Sequence, residues 1–257
     1  MTFSEQFIYA MFKPSKYKEM LELKRSRFVW FVIVMALVLS TVTFAVPVAA
    51  RIAGFGGFEK LFTEKMSPMV FEDGELDIEK PFKMTFGILT FVIDTEEDAV
   101  SDEKMVKDGY YVALGKKYMS RCIVLDGQRQ SAADIELDTM LVNGVDNQKL
   151  VSLVPALYTS LVLCFIFVAG GMFCKYAFFA LILALLINSM NKRLDAGMPF
   201  GKCFAMCFYA QTLAMIISNF NSAIGLLPGF IVSIFGVMYT IHMMSAANVL
   251  MLPKNQL

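Results

Sequence analysis

Residues 91–103, FVIDTEEDAVSDE, hold the densest set of groups able to do chemistry: Asp94 closes an apolar run, and Glu96, Glu97, Asp98, Asp102 and Glu103 follow it. A carboxylate at a strand end can serve as nucleophile, general base or metal ligand, but each role needs a second group presented beside it. No DxD stands at this strand end, and Thr95-Glu96-Glu97-Asp98 has the character of a strand exit into a charged loop. A calcium loop would alternate oxygen ligands around a central glycine, a pattern absent here. A solvated turn is the reading these residues favour, with Asp94, Glu96 and Asp98 kept as a candidate cation or ligand site.

His242 is the sole histidine. It lies in an apolar segment, where an ionisable group raises a functional hypothesis, and Met238 stands one helical turn before it as a soft partner. Nineteen methionines along the chain make such adjacency ordinary, so a hydrogen-bonded packing histidine is expected. Lys175, also within an apolar segment, is expected to snorkel to the inner interface or to pair within a helix bundle. Cys203 and Cys207 share a helix face and read as small buried residues. Cys122 is the one cysteine between residues 51 and 150, which leaves no disulfide within that segment. The same segment holds no histidine, so no Ser-His-Asp triad can form in it. Gly-rich phosphate loops, CxxC pairs and HExxH are missing. No catalytic residue, cofactor or metal centre is expected.

The elements that carry these groups follow from composition. The 257 residues are 57% hydrophobic and 18% charged, with a mean hydropathy of +0.58, too apolar for an ordinary soluble domain. Residues 28–50 run without a charge, enough to cross a hydrocarbon core of about 30 Å at about 1.5 Å per residue. The basic Lys24–Arg27 ahead of this run and Val48-Ala49-Ala50 at its end invite a signal-peptide reading. The run is too long and too far from residue 1 for that, so an uncleaved anchor is expected.

Further apolar segments cover 151–190, 203–220 and 230–251. Length alone divides 151–190 into two spans hinged at Gly170-Gly171. Charge argues for one. Outside the 51–150 insert stand eleven Lys and Arg, among them Lys24, Arg25, Arg27, Lys192, Arg193 and Lys202, against four acids, Glu5, Glu19, Glu22 and Asp195. Basic residues near helix ends favour the cytoplasmic side, and a single crossing, long, tilted or kinked at the glycines, places every short basic segment there. The expectation is an α-helical membrane bundle of four transmembrane helices, five being the alternative, with an inserted small β-rich (α+β) extracytoplasmic domain. Its parts are a cytoplasmic amphipathic interfacial segment 1–27, a first span 28–50, the domain 51–150, a second span 151–190, a basic loop 191–202, spans 203–220 and 230–251, and a tail 252–257.

Within the insert, Lys83–Asp94, Tyr110–Leu114 and Tyr118–Asp126 read as strands. Asp-Gly pairs at 73–74, 108–109 and 126–127 mark turns that need positive φ. Ahead of the first span, Phe3, Phe7 and Met11 form an apolar stripe that Pro14 ends. That stripe suits either the membrane interface or the protein's own helices.

The opening FIYAMFKPSKYKEMLELKRSRFVWFVIVMALVLS, then FEDGELDIEKPF (71–82), FVIDT (91–95) and NKRLDAGMPFGKCFAMCFYAQT (191–212), resembles, in that order, the bacterial multi-pass family labelled domain of unknown function 1189. Some of its members are named maltodextrin-utilisation membrane proteins. The second half also looks like the broader Yip-type helical bundles, in which a cytoplasmic loop feeds a span, here at Tyr209-Ala210. The resemblance implies a bacterial cell membrane with the N-terminus cytoplasmic, and no established activity. The expected function is that of a non-enzymatic accessory or sensor protein beside a carbohydrate-uptake system. Its partners would be the lipid bilayer and a sugar-uptake transporter, with no nucleic acid. One rival is a transporter or channel with a polar site near His242, drawing on Asn188, Asn191, Gln211, Asn219 and Asn248. Another is a membrane-bound enzyme that uses the acids on a lipid or cell-wall substrate.

Overall fold

The computed structural model describes residues 1–86, 89–105, 107–193 and 198–251. The tail 252–257, and Asp195 of the basic loop, lie outside the described residues. The chain divides into two units, Met1–Val48 with Leu161–Leu257, and Ala49–Ser160. It is mostly helical, with the strands gathered in the second unit.

Helix α1 (Phe3–Phe12) opens on a capping box: the Thr2 hydroxyl accepts from the Glu5 N–H, and the Glu5 carboxylate accepts from the Thr2 N–H. Pro14, which cannot donate a helical hydrogen bond, ends it. Helix α2 (Tyr17–Leu21) follows. This segment packs on the protein's own helices, the second of its two readings. The buried Gln6 amide donates to the Tyr209 hydroxyl at 2.7 Å, and Tyr17 donates to the Ala10 carbonyl at 2.6 Å. Ile8 and Phe12, beside the stripe, stay exposed.

Helix α3 spans Arg25–Gly54, with one wide π turn at Thr41–Ala45. Pro47 explains the turn: it has no N–H to offer the carbonyl one turn earlier, and widening the spiral relieves the clash. After the short α4 (Asn147–Ser152), α5 runs unbroken over Val154–Arg193. No break in the helix stands at Gly170-Gly171, where length suggested a hinge, and nothing lies within 4 Å of the space a Cβ would take at either glycine. At about 1.5 Å per residue α5 is about 60 Å long.

Helices α6 (Phe200–Ala210) and α7 (Thr212–Ile224) meet at Gln211 with a bend of 41°, and α8 covers Gly229–Met251. Gly225, at φ +69°, closes α7 in the left-handed conformation that glycine takes without strain. Among the described residues, α3, α5 and α8 are long and apolar enough to cross a membrane, and α6–α7 adds a fourth if the bent pair counts as one span.

The second unit holds two sheets. Strands β1 (Met69–Glu72) and β2 (Glu75–Ile78) form a hairpin over Asp73-Gly74, both at positive φ, and β9 (Val145–Asp146) pairs with β1 on its other side. The larger sheet runs β3 (Phe82–Phe86), β4 (Leu89–Ile93), β5 (Gly109–Leu114), β6 (Tyr118–Leu125), β7 (Gln128–Ser131), with β8 (Ile135–Glu136) also on β6. The single strand expected over Lys83–Asp94 is two, paired antiparallel. Asp126-Gly127 turns β6 into β7 as its type demands. Asp108-Gly109 makes no hairpin; Gly109 opens β5.

Strands β4 and β5 are parallel, and parallel neighbours cannot be joined by a tight turn. Residues 94–108, the acid-rich stretch, are that crossover. Its apolar members cover one face of the sheet: Val100 and Met105 are buried with Val92, Tyr111, Cys122 and Val124. The opposite face packs Ile93 and Met119 against Phe71, Leu76 and Leu137. The alternation of β4 and β6 thus feeds two cores.

Candidate functional site

Two places gather polar side chains. The first is Asp94, buried at the end of β4 with 5% of its surface exposed. Its Oδ2 accepts from Lys104 Nζ at 2.5 Å and its Oδ1 from the Glu96 N–H at 3.2 Å. Lys104 also reaches Glu96, at 3.4 Å, and is raised above the ordinary lysine range, first by its hydrogen bond to Asp94. Asp94 and Lys104 stand at the two ends of the crossover, so the pair clasps it to the sheet.

The rest of the acid run is less free than a solvated turn. The carbonyls of Glu97 and Asp98 accept from the backbone N–H groups of Lys116, Lys117 and Tyr118 at 2.9–3.0 Å, docking the crossover on the β5–β6 turn. Beside this dock Glu75 pairs with Lys116 at 2.8 Å and Lys117 at 3.3 Å, and those hydrogen bonds hold its carboxyl below the ordinary range. The Asp98 side chain is exposed, 3.9 Å from Lys117. Among the described residues no group of three His, Cys, Asp or Glu side chains is placed to hold a metal ion. Asp94 is thus ion-paired and hydrogen-bonded within the crossover itself.

The second place is a crevice of about 280 Å³ between α5, α7 and α8. Helix α5 contributes Lys175, Tyr176, Phe179 and Ile182. The α6–α7 junction gives Gln211, Ala214 and Met215, and α8 gives Ser233, Gly236, Val237, Thr240 and Ile241. Tyr176 organises its deep end. The Gln211 amide donates to the Tyr176 carbonyl at 2.9 Å, and the buried Asn219 amide donates to the Tyr176 hydroxyl and, at 2.7 Å, to the Met215 carbonyl. Gln211 sits where helical backbone bonding lapses between α6 and α7, so its side chain ties the bend to α5. A Cβ on Gly236 would stand 3.3 Å from that of Ala214, which shows how closely α7 and α8 approach.

Of the polar residues considered in sequence, Gln211 and Asn219 meet here, while Asn191 and Asn248 bond each other reciprocally at 3.0 Å elsewhere in the helical unit. His242 and Met238 do not join either group. Both lie exposed on α8, and among the described residues His242 makes no hydrogen bond. That face of α8 is the one opposite to Thr240, Met243, Met244 and Ala247, which are buried. Cys203 and Cys207 are buried, and Cys207 Sγ lies 3.5 Å from Met244 Sδ. Tyr176 was not foreseen; a tyrosine next to a lysine within an apolar run was the available signal.

The model of a family described as a protein of unknown function (DUF1189) matches residues 4–246. No curated protein and no solved structure matches the chain.

Proposed function

This chain belongs to the DUF1189 family of proteins of unknown function, and from that premise we propose a non-enzymatic membrane protein that presents its sheet unit outside the cell, beside a carbohydrate-uptake system. The observation that carries the membrane part is α5: its most apolar window has no buried residue, and Phe167 on it is 79% exposed. An uncovered apolar surface of that size is unfavourable in water and ordinary in lipid. With spans at α3, α5, the α6–α7 pair and α8, both termini fall on the same side, and the excess of Lys and Arg near helix ends supports the inside for it. In a variant with its own cysteines replaced, single cysteines at Gln128 and Gly225 are expected to react with an impermeant thiol reagent in intact cells. One at Met198 is expected to react only after permeabilisation, and labelling of Met198 from outside would contradict the arrangement.

The non-enzymatic part is supported by Asp94, whose carboxylate is taken up by Lys104. The carbohydrate link comes from the family resemblance. Calorimetry of the detergent-solubilised full-length protein against a panel of maltodextrins is expected to give a measurable heat. Silence across the panel, with no thermal shift, would remove the sugar from the proposal. A transport reading could draw on the bend at Gln211. However, Asn219 has both amide N–H groups engaged, with the Tyr176 hydroxyl and the Met215 carbonyl, and Gln211 has one of its two engaged with the Tyr176 carbonyl, which favours a structural part for these amides.

A further inference from the structure

We propose that the outward face of α1, with the lysines that follow it, seats on anionic phospholipid headgroups at the membrane boundary; this rests on the membrane reading above. Position comes first. Phe3 and Phe7 meet Phe31 of α3, with ring centroids 5.9 and 6.5 Å apart, and Gln6 bonds Tyr209 of α6. The Tyr239 hydroxyl, midway along α8, donates to the Met11 carbonyl. Each of these partners stands more than a turn inside its own helix, so α1 lies along the flank of the helices and not over their ends. Arg27 donates to the Met1 carbonyl, which sets the start of α1 level with the point where α3 passes from basic to apolar residues. In a spanning helix that point is the boundary between headgroups and hydrocarbon.

Burial then divides α1. Gln6 and Ala10, one turn apart, are buried, while Ile8 and Phe12, one turn apart on the opposite side of the helix, are 47% and 57% exposed. The stripe of Phe3, Phe7 and Met11 borders the buried side, so the apolar face turned outward is a different one. Apolar side chains on a flank at the boundary are placed as an interfacial helix places them.

Charge selects the lipid. Residues 1–27 carry six Lys and Arg against three acids. Lys16 pairs with Glu19, but Lys13, Lys18, Lys24 and Arg25 are exposed and make no ion pair among the described residues. Such a cluster beside the basic end of a span attracts anionic lipid. A soluble polyanion would satisfy the lysines and leave Ile8 and Phe12 uncovered; a bilayer surface takes both.

The test is tryptophan quenching by brominated lipid in the full-length protein. Trp30→Phe removes the single tryptophan, and Phe12→Trp puts a reporter on the outward face. The protein is reconstituted in equal parts of phosphatidylcholine and phosphatidylglycerol, with one or the other brominated. Phosphatidylglycerol is expected to hold an about five-fold advantage in contact with the reporter, the worth of one lysine near an anionic surface. Lys13→Gln with Lys18→Gln is expected to bring the ratio close to one, and Lys13→Arg with Lys18→Arg to keep it. Salt at about 1 M, which screens exposed charges beyond about 3 Å, is expected to reduce it. Quenching by neither lipid, equal quenching by both, a ratio unchanged in the double glutamine variant or in salt, or loss of quenching on adding soluble polyglutamate would each overturn the proposal. Where the protein still resists alkaline carbonate, such a result refutes this inference alone. Protein that carbonate strips from the bilayer refutes the membrane reading beneath it.

Discussion

Phe71→Ala is expected to cost the sheet unit about 3–5 kcal/mol, the usual range for emptying a buried phenylalanine site. Phe71 is 1% exposed in β1 and packs with Leu76 and Leu137, which are equally covered. Its neighbours sit on paired strands and cannot close the gap, because Phe71 is held in register with Leu76 on one side and Val145 on the other. A loss of that size is a large share of the roughly 5–15 kcal/mol that stabilises an ordinary domain. Cys122 supplies the measurement: it is buried in the other core of the same unit, so the denaturant dependence of its modification, with the remaining cysteines replaced, reports opening of the sheet. Val70→Ala, one residue away on the opposite and partly exposed face, is the control and is expected to cost less than about 1 kcal/mol. Equal effects at the two positions would show that Phe71 does not fill a core.

Gly115→Ala is expected to loosen the same unit by a different route. A Cβ at Gly115 would come within 2.5 Å of the Asp98 carbonyl oxygen and 2.7 Å of Ala99 Cα, both backbone atoms that cannot rotate aside. The crossover must then lift from the β5–β6 turn. That strains the hydrogen bonds at the Glu97 and Asp98 carbonyls and uncovers Val100 and Met105. Overpacking of this kind costs about 1–3 kcal/mol and sometimes more. Cys122 lies directly beneath Met105, with Sγ 3.5 Å from Sδ, so faster modification of Cys122 at low denaturant is the expected signature. Gly170→Ala, where nothing stands near the added methyl, is expected to leave the rate unchanged. Wild-type protection in Gly115→Ala would mean that the crossover is not docked there.

Gly115→Ala acts on the stretch that looked most like an active site in the sequence, and the physics of that stretch explains what could be read in advance. Turn chemistry is local, so Asp73-Gly74 and Asp126-Gly127 were legible as hairpins. The strands at β5 and β6 were legible from their β-branched and aromatic residues. The parallel pairing of β4 with β5 joins residues on either side of an intervening loop and leaves no local trace, so the acid run read as a solvated exit when it is a crossover. Glu96, Glu97 and Asp98 do face solvent; Asp94, Val100 and Met105 are buried.

In the helical unit, the apolar segments and the family were legible from composition and from the order of the motifs. The bend at Gln211 was not, because neither proline nor glycine marks it and the group its side chain bonds is a carbonyl on another helix. His242 drew attention as an ionisable group in an apolar run. That argument concerns rarity and carries no information about which way a helix face turns. Lys175 and Tyr176, adjacent in sequence, divide the crevice between them: the tyrosine is buried and anchors, and the lysine is exposed and charged.

The pairing of β9 with β1 has a polymer-physical consequence for the insert. Asp146 meets Val70, and Asn147 bonds the Phe62 and Ser67 carbonyls and the Met69 N–H, so the two ends of the sheet unit are stitched together inside it. Loop-closure entropy grows only logarithmically with contour length, and here the unit itself supplies the closing contacts. Residues can therefore be added or removed at the distant tips, Asp73-Gly74 and Asp126-Gly127, with the ends still joined. A segment closed at its own base is free to diversify in sequence and size while the strands that seal it keep their register.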